Sequence, residues 1–276
     1  MIVAASQSIA LITGAATGIG EAAARALAAR NMVVVGTDVD VVRGEKLFAA
    51  LGAPHLFLPL DVRDPAAWAR TVREIVNRFG RLDFVHLNAG VMSRPKGAPL
   101  MDDPLTWFTA EGYAKVMDVN LGGVAHGIKA ALEAPGLSRI LITASGAAIL
   151  PLDLDPYYTA SKYGVLGMGL ALAPTLEKRG VRLDVLCPGA IGTDLTAPDI
   201  RAAIHQEPAG FIGEAVATLA TTDEPGPVWL AFTEAEGLKR YDVPALPGLS
   251  GALDVTDQAN AHNDRNVVPA PRSSVN

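Results

Sequence analysis

Short apolar runs, many of them β-branched, alternate along this chain with longer segments suited to helices, and that alternation narrows the possible folds more than any other feature. The strand-type runs are Ile9–Thr13, Val33–Thr37, Leu56–Leu60, Phe84–Leu87, Arg139–Thr143, Arg182–Leu186 and Val228–Phe232. Between them lie Ile19–Arg30, Arg43–Leu51, Pro65–Phe79, Gly112–Ala134, Tyr158–Lys178 and Gly213–Ala220. Asp64 reads as the N-cap of the third, with Pro65 in its first turn. Apolar strands separated by helices predict an α/β domain: a doubly wound parallel β-sheet of about seven strands, flanked by helices on both faces.

Two stretches break the alternation. Ser93–Thr109 carries Pro95, Pro99, Pro104 and Trp107 and reads as a loop or surface excursion. Residues 244–276 are rich in Pro, Gly, Asn and Asp and read as an irregular tail. Neither looks like a domain of its own, so residues 1–243 are expected to form a single domain.

Half of the 276 residues are apolar, enough for a well-buried core. Lys and Arg number 23 against 29 Asp and Glu, a formal charge of −6, and no strongly basic run offers a nucleic-acid footprint. The one cysteine, Cys187, lies in an apolar run and reads as a core thiol in a reducing compartment. Residues 1–20 carry no basic residue ahead of their apolar stretch, and the apolar run Tyr163–Pro174 is too short and too glycine-rich to span a bilayer. A soluble, cytoplasmic protein with no membrane or nucleic-acid partner is the expectation.

The first strand runs into Gly14-Ala15-Ala16-Thr17-Gly18-Ile19-Gly20, followed by an alanine-rich helical segment. A strand, a glycine-rich turn and a helix N-terminus make a pyrophosphate cradle, because glycine allows close backbone approach and the helix end presents unpaired N–H groups. Asp38 ends the second strand 18 residues beyond Gly20, near the spacing at which an acidic residue binds the adenosine ribose. It would repel a 2′-phosphate, so the cofactor expected is NAD; Asp40 is a rival for the role, and a turn-capping Asp is the alternative reading.

Tyr158 and Lys162 stand four residues apart on a predicted helix and therefore share a face. An ammonium there should lower the phenol's pKa towards a useful value. Ser145 follows the fifth strand at the carboxyl edge, where parallel sheets bind ligands.

With these residues in order, the chain resembles the short-chain dehydrogenase/reductase family over roughly residues 8–235. The matching positions are Thr13–Gly20, Asp61-Val62, Asn88-Ala89-Gly90, Asn120, Ser145, Tyr158 with Lys162, and Pro188–Thr193. The resemblance implies a Rossmann fold and a catalytic set of Asn120, Ser145, Tyr158 and Lys162. Tyr158 would be the general acid/base, Ser145 would bind the substrate oxygen, Lys162 the nicotinamide ribose, and Asn120 a relay water. Gly14, Thr17, Gly18, Ile19, Gly20 and Asp38 would hold the pyrophosphate and adenosine ribose. Asp61 and Val62 would contact adenine, and Asn88, Ala89 and Gly90 would flank the adenosine ribose. Pro188, Gly189, Ile191 and Thr193 would orient the nicotinamide. Taken singly, Ser145 suits a turn, Tyr158 a buried aromatic, Asn120 a surface amide and Lys162 a solvated charge.

The match has departures. Leu87 replaces a common asparagine, and the 32-residue interval from Asn88 to Asn120 is long, placing the proline-rich excursion near the pocket mouth. The last strand is not followed by the Asp-Gly-Gly tail that closes many family tetramers; Glu234–Val243 resembles the prostaglandin dehydrogenase branch instead. A homo-oligomer, dimer or tetramer, is expected. Residues 193–211 should form a lid whose Leu195, Ile200, Ile204 and Phe211 join Val91, Met92, Ile149, Leu150 and Leu152 in an apolar pocket. No Arg or Lys is clearly placed by the sequence to pair with an anion, so an uncharged alicyclic, aromatic or aliphatic secondary alcohol is expected. His205 reads as a solvent-facing lid residue, and the other histidines have no zinc spacing. An NADPH-dependent carbonyl reductase and a non-catalytic nucleotide sensor are the alternatives.

Overall fold

The computed structural model describes residues 7–95, 97–99, 101–196, 198–224 and 226–243; the predicted tail lies outside them. The described residues up to Tyr241 form one compact unit. Among the described residues it has eight strands: β1 (Ile9–Thr13), β2 (Val33–Asp38), β3 (Leu56–Pro59), β4 (Phe84–Leu87), β5 (Arg139–Thr143), β6 (Arg182–Pro188), β7 (Val228–Ala231) and β8 (Lys239–Arg240). Its helices are α1 (Gly18–Ala29), α2 (Val41–Leu51), α3 (Pro65–Phe79), α4 (Ala110–Met117), α5 (Gly123–Ala131), α6 (Pro156–Glu177), α7 (Pro198–Ala203) and α8 (Ala209–Leu219).

The sheet order is β3-β2-β1-β4-β5-β6-β7-β8, parallel except at the last pair. The eighth strand escapes the sequence reading because it is two exposed residues with no apolar run, added antiparallel to β7. The order reverses between β1 and β4, which opens a crevice at their carboxyl ends. Side chains alternate across the sheet: Ile9 and Leu11 enter one core, while Ala10 and Ile12 enter the other. Helix α1 packs closely on α8, since a Cβ at Gly213 would fall 2.6 Å from the Ala22 carbonyl oxygen.

Helix starts follow side-chain capping. The Asp40, Asp64, Thr109 and Asp155 side chains accept from Arg43, Ala66, Gly112 and Tyr158 N–H groups, and Pro65 and Pro156 sit in the first turns they suit. Glycine stops α3, Gly80 taking φ 79°. The segment expected as one helix from Gly112 to Ala134 is instead α4, a wide π turn over Asp118–Gly122, and α5. Apolar periodicity continues through such a turn, so the pattern does not reveal it. Within Ser93–Thr109 a 3₁₀ turn, Pro104–Trp107, is capped by Asp103.

Candidate active site

The carboxyl ends of β1, β2, β4, β5 and β6 border one cavity of about 920 Å³. At its floor the turn after β1 is shaped by glycine. Gly14 and Gly18 take φ 66° and 57°, and a Cβ at Gly20 would fall 2.0 Å from the Gly14 carbonyl oxygen. Thr17, the N-cap of α1, makes no side-chain cap bond, so the first-turn N–H groups remain unsatisfied and face where a pyrophosphate would sit. Gly14, Thr17, Gly18 and Ile19 line the cavity, while Gly20 packs beneath the turn.

Asp38 is held by two backbone donors, Ala16 N–H to Oδ2 at 3.0 Å and Asp40 N–H to Oδ1 at 2.9 Å. Its rival Asp40 instead caps α2 and pairs with Arg43 at 2.6 Å. The Arg43 guanidinium also reaches Asp194 at 2.8 Å. Asp61 is gripped by Arg63 at 2.6 Å, which holds its carboxyl below the usual range, and Val62 is buried against Gly123.

Thr13, which opens the glycine motif but gains no role of its own from the sequence, locks β1 to β4: its hydroxyl accepts from Asn88 and Ala89 N–H at 2.9 and 3.1 Å. The Asn88 amide donates back to the Thr13 carbonyl at 3.0 Å, so that side chain is spent on the turn. Gly90 stands beside Lys162, whose Nζ would lie 3.6 Å from a Cβ there.

The π turn carries Asn120 inward to full burial. Its amide accepts from Val91 N–H at 2.8 Å and donates to the Val91 carbonyl and the Ser161 hydroxyl, both at 2.9 Å. Ser145 ends the β5 edge, its hydroxyl accepting from Ala147 N–H at 3.1 Å. Tyr158 and Lys162 share one face of α6, with Nζ 5.5 Å from the ring centroid and donating to the Thr143 carbonyl at 2.8 Å. Ser145, Tyr158 and Lys162 all line the cavity; Asn120 stands behind it.

The expected lowering of the phenol is overturned. Burial pushes Tyr158 up to about 12, with Ser145 pulling it down and the Asp155 carboxylate adding to the rise. Burial also lowers Lys162 to about 8. Depth, rather than the neighbouring amine, sets both groups in the free protein.

The opposite wall is formed by Pro188, Gly189, Ile191 and Thr193. A Cβ at Gly189 would meet the Phe232 carbonyl oxygen at 2.6 Å, and Thr193 rests against Gly18. The segment after β6 is held by Gly192 and Glu207 N–H bonds of 2.9 Å to the Glu207 and Ala190 carbonyls. Val91, Met92, Leu150, Leu152, Leu195 and Ile204 line the cavity as the sequence suggests. Two expected pocket residues lie elsewhere: Ile149 and Phe211 pack against the two cores. The Ile200 side chain is outside the described set. His205 is exposed and 3.3 Å from Glu207.

One basic residue that the sequence did not clearly place toward an anion stands in this cavity. Arg94 lines the cavity and is 4% exposed. The segment that carries it held no periodicity, so its inward course could not be read from the sequence. Cys187 is buried and its thiol is raised to about 11. Among the described residues, no helix is long and apolar enough to cross a membrane.

The glycine turn, the acidic end of β2 and the Ser–Tyr–Lys edge together describe a nucleotide-dependent oxidoreductase of the doubly wound class. Residues 8–203 match the model of the short chain dehydrogenase family, and the chain belongs to that family. It is 34% identical over 200 residues to 15-hydroxyprostaglandin dehydrogenase (NAD(+)) of Mus musculus, covering 68% of each chain. It is 34% identical over 214 residues to the 3-oxoacyl-acyl-carrier-protein reductase FabG of Escherichia coli (strain K12), covering 75% of this chain and 84% of the relative. Among solved structures it is similar to a 3-ketoacyl-acyl-carrier-protein reductase from Brucella melitensis complexed with NADH. That match has a TM-score of 0.70 and 26% identity, over 82% of this chain and 96% of the other. A Burkholderia cenocepacia short chain dehydrogenase in complex with NADP gives a TM-score of 0.71 at 26% identity, over 82% and 96%.

Proposed function

We propose that the chain is an NAD(H)-dependent dehydrogenase interconverting a secondary alcohol and its ketone. The observation that carries this reading is the convergence of Ser145, Tyr158 and Lys162 on one cavity whose floor is the glycine turn at the α1 N-terminus. The residues fit a dinucleotide: the unsatisfied N–H groups of α1 receive its pyrophosphate, and Asp38 receives the adenosine ribose hydroxyls. When bound, the nicotinamide supplies the hydride acceptor or donor.

The chain's own groups do the rest. Ser145 donates to the substrate oxygen and holds it against Tyr158. Tyr158 gives a proton to that oxygen as a ketone is reduced, and takes it back as an alcohol is oxidised. A phenol pushed up to about 12 already carries that proton at neutral pH. Lys162 binds the nicotinamide ribose and favours phenolate once a ligand reorients it, and Asn120 fixes Val91 beside it. Pro188, Gly189, Ile191 and Thr193 press on the nicotinamide side.

NAD is favoured over NADP because Asp38 ends β2 and lines the cavity, where its carboxylate would repel a 2′-phosphate. The nearby cation that would welcome that phosphate, Arg43, is committed to Asp40 and Asp194. NADH absorbance with secondary alcohols and both cofactors tests this. NAD should win by at least about tenfold in kcat/KM, and Asp38→Ala should erode the preference. Equal rates with both cofactors would remove the ribose assignment. No turnover of any alcohol despite tight NADH binding would favour a nucleotide sensor.

A further inference from the structure

The cations lining the cavity differ in one respect. Arg63 is paired with Asp61, Lys115 is exposed to water, and Lys162 donates to the Thr143 carbonyl. Arg94 is 4% exposed, yet its only donated side-chain bonds among the described residues run from Nη2 to the Ala98 and Pro99 carbonyls at 3.2 and 2.5 Å. Nε and Nη1 are buried with no partner. A guanidinium keeps its charge at any ordinary pH, and burying it without a counter-ion is strongly unfavourable. Asp155 accepts from Ser93 N–H and Oγ, Tyr158 N–H and the Arg94 backbone N–H, and among the described residues it makes no ion pair with the Arg94 side chain. From the lid, Gln206 brings a second buried donor without a partner, Nε2, to the same cavity.

Three unpartnered nitrogens, two of them on a charged guanidinium, thus belong to side chains that line this cavity from separate loops. We infer that the substrate of the proposed dehydrogenase is a hydroxy acid or keto acid whose carboxylate, remote from the reacting carbon, is bound by Arg94 and Gln206. This rests on the dehydrogenase reading and replaces the uncharged alcohol expected from sequence. A carboxylate fits better than a phosphate: one buried cation and one amide balance a single negative charge, and a dianion would leave charge uncompensated.

The test compares secondary hydroxy acids with their methyl esters, the hydroxyl one carbon from the far end and four to ten methylenes between. Wild-type enzyme with NAD should prefer an acid of the best length over its ester by about ten- to hundredfold in kcat/KM. Arg94→Gln should erase that preference through KM for the acid while leaving ester oxidation and NADH affinity within about threefold. Arg94 also steadies the Ala98–Pro99 turn, so Gln206→Leu serves as the second variant, expected to cost several-fold on the acid alone. Calorimetry of hexanoate against hexanamide on the NADH-loaded enzyme reads the site without turnover. Alcohols oxidised with no acid preference would overturn this inference and leave the dehydrogenase standing. Hexanoate bound by wild type and lost in Arg94→Gln, with no alcohol oxidised, would keep the anion site and remove the dehydrogenase. Equal losses on acid and ester in both variants would reduce Arg94 and Gln206 to structural supports.

Discussion

Burial acts on Tyr158 and Lys162 in opposite directions, raising the phenol to about 12 and lowering the amine to about 8. The neutral form of each is thereby favoured in the free protein. For Lys162, the unfolded chain binds more protons than the folded one between pH 8 and its ordinary value near 10.5. Stability therefore rises with pH through that window, by up to about 3 kcal/mol. The raised Tyr158 has the opposite effect above about pH 10, where stability falls as pH climbs towards 12. Melting curves of wild type and Lys162→Met should differ by a Tm slope that is positive between pH 8 and 10 only in the wild type; parallel profiles would mean the amine is not desolvated. Tyr158→Phe should lower kcat by about 10²–10⁴-fold and leave NADH affinity nearly unchanged. Four-residue spacing put these side chains on one face, and that much was legible. Their depth was not, because it depends on what the sheet and the loop after β4 lay over them.

Two helix starts hold the site, and they do so by different means. The α1 start depends on an absence of side chains. Gly20→Ala would drive a methyl into the Gly14 carbonyl and should weaken NADH binding about 10–100-fold, read by fluorescence titration. The α6 start depends on Asp155, a fully buried carboxylate that caps Tyr158 N–H at 3.0 Å and holds Ser93 by two bonds of 2.7 and 2.8 Å. Asp155→Ala removes a cap and leaves buried donors unsatisfied, so a loss of roughly 2–4 kcal/mol in denaturant unfolding is expected. Asp155→Asn should recover part of it, since an amide oxygen still accepts. Asp-Pro before a helical run signals such a cap, as Asp64-Pro65 did. The second grip, on Ser93, joins residues 62 apart and leaves no local trace. The π turn at Asn120 is hidden for a related reason: one extra residue changes which way a side chain points without disturbing apolar spacing.

Across the molecule, the doubly wound parallel sheet and the carboxyl edge that borders the crevice were legible because parallel strands buried on two faces are apolar throughout. The added β8 edge and the inward course of the segment around Arg94 were not, since neither follows a period. The segment proposed as a lid rests on the glycine turn through Thr193 and is tied to α2 through Asp194 and Arg43. Asp194→Ala should therefore speed cofactor release severalfold in stopped-flow displacement, while an unchanged rate would make that bridge incidental. Asp155 has one more effect at this scale. Because a single carboxylate fastens both the start of the tyrosine helix and the backbone beside the buried arginine, the span between proton donor and positive charge cannot stretch freely. If the proposed anion site holds the substrate, the cavity would work as a calliper: activity along a homologous series should peak sharply at one chain length, and loosening Asp155 should broaden the peak before it abolishes turnover.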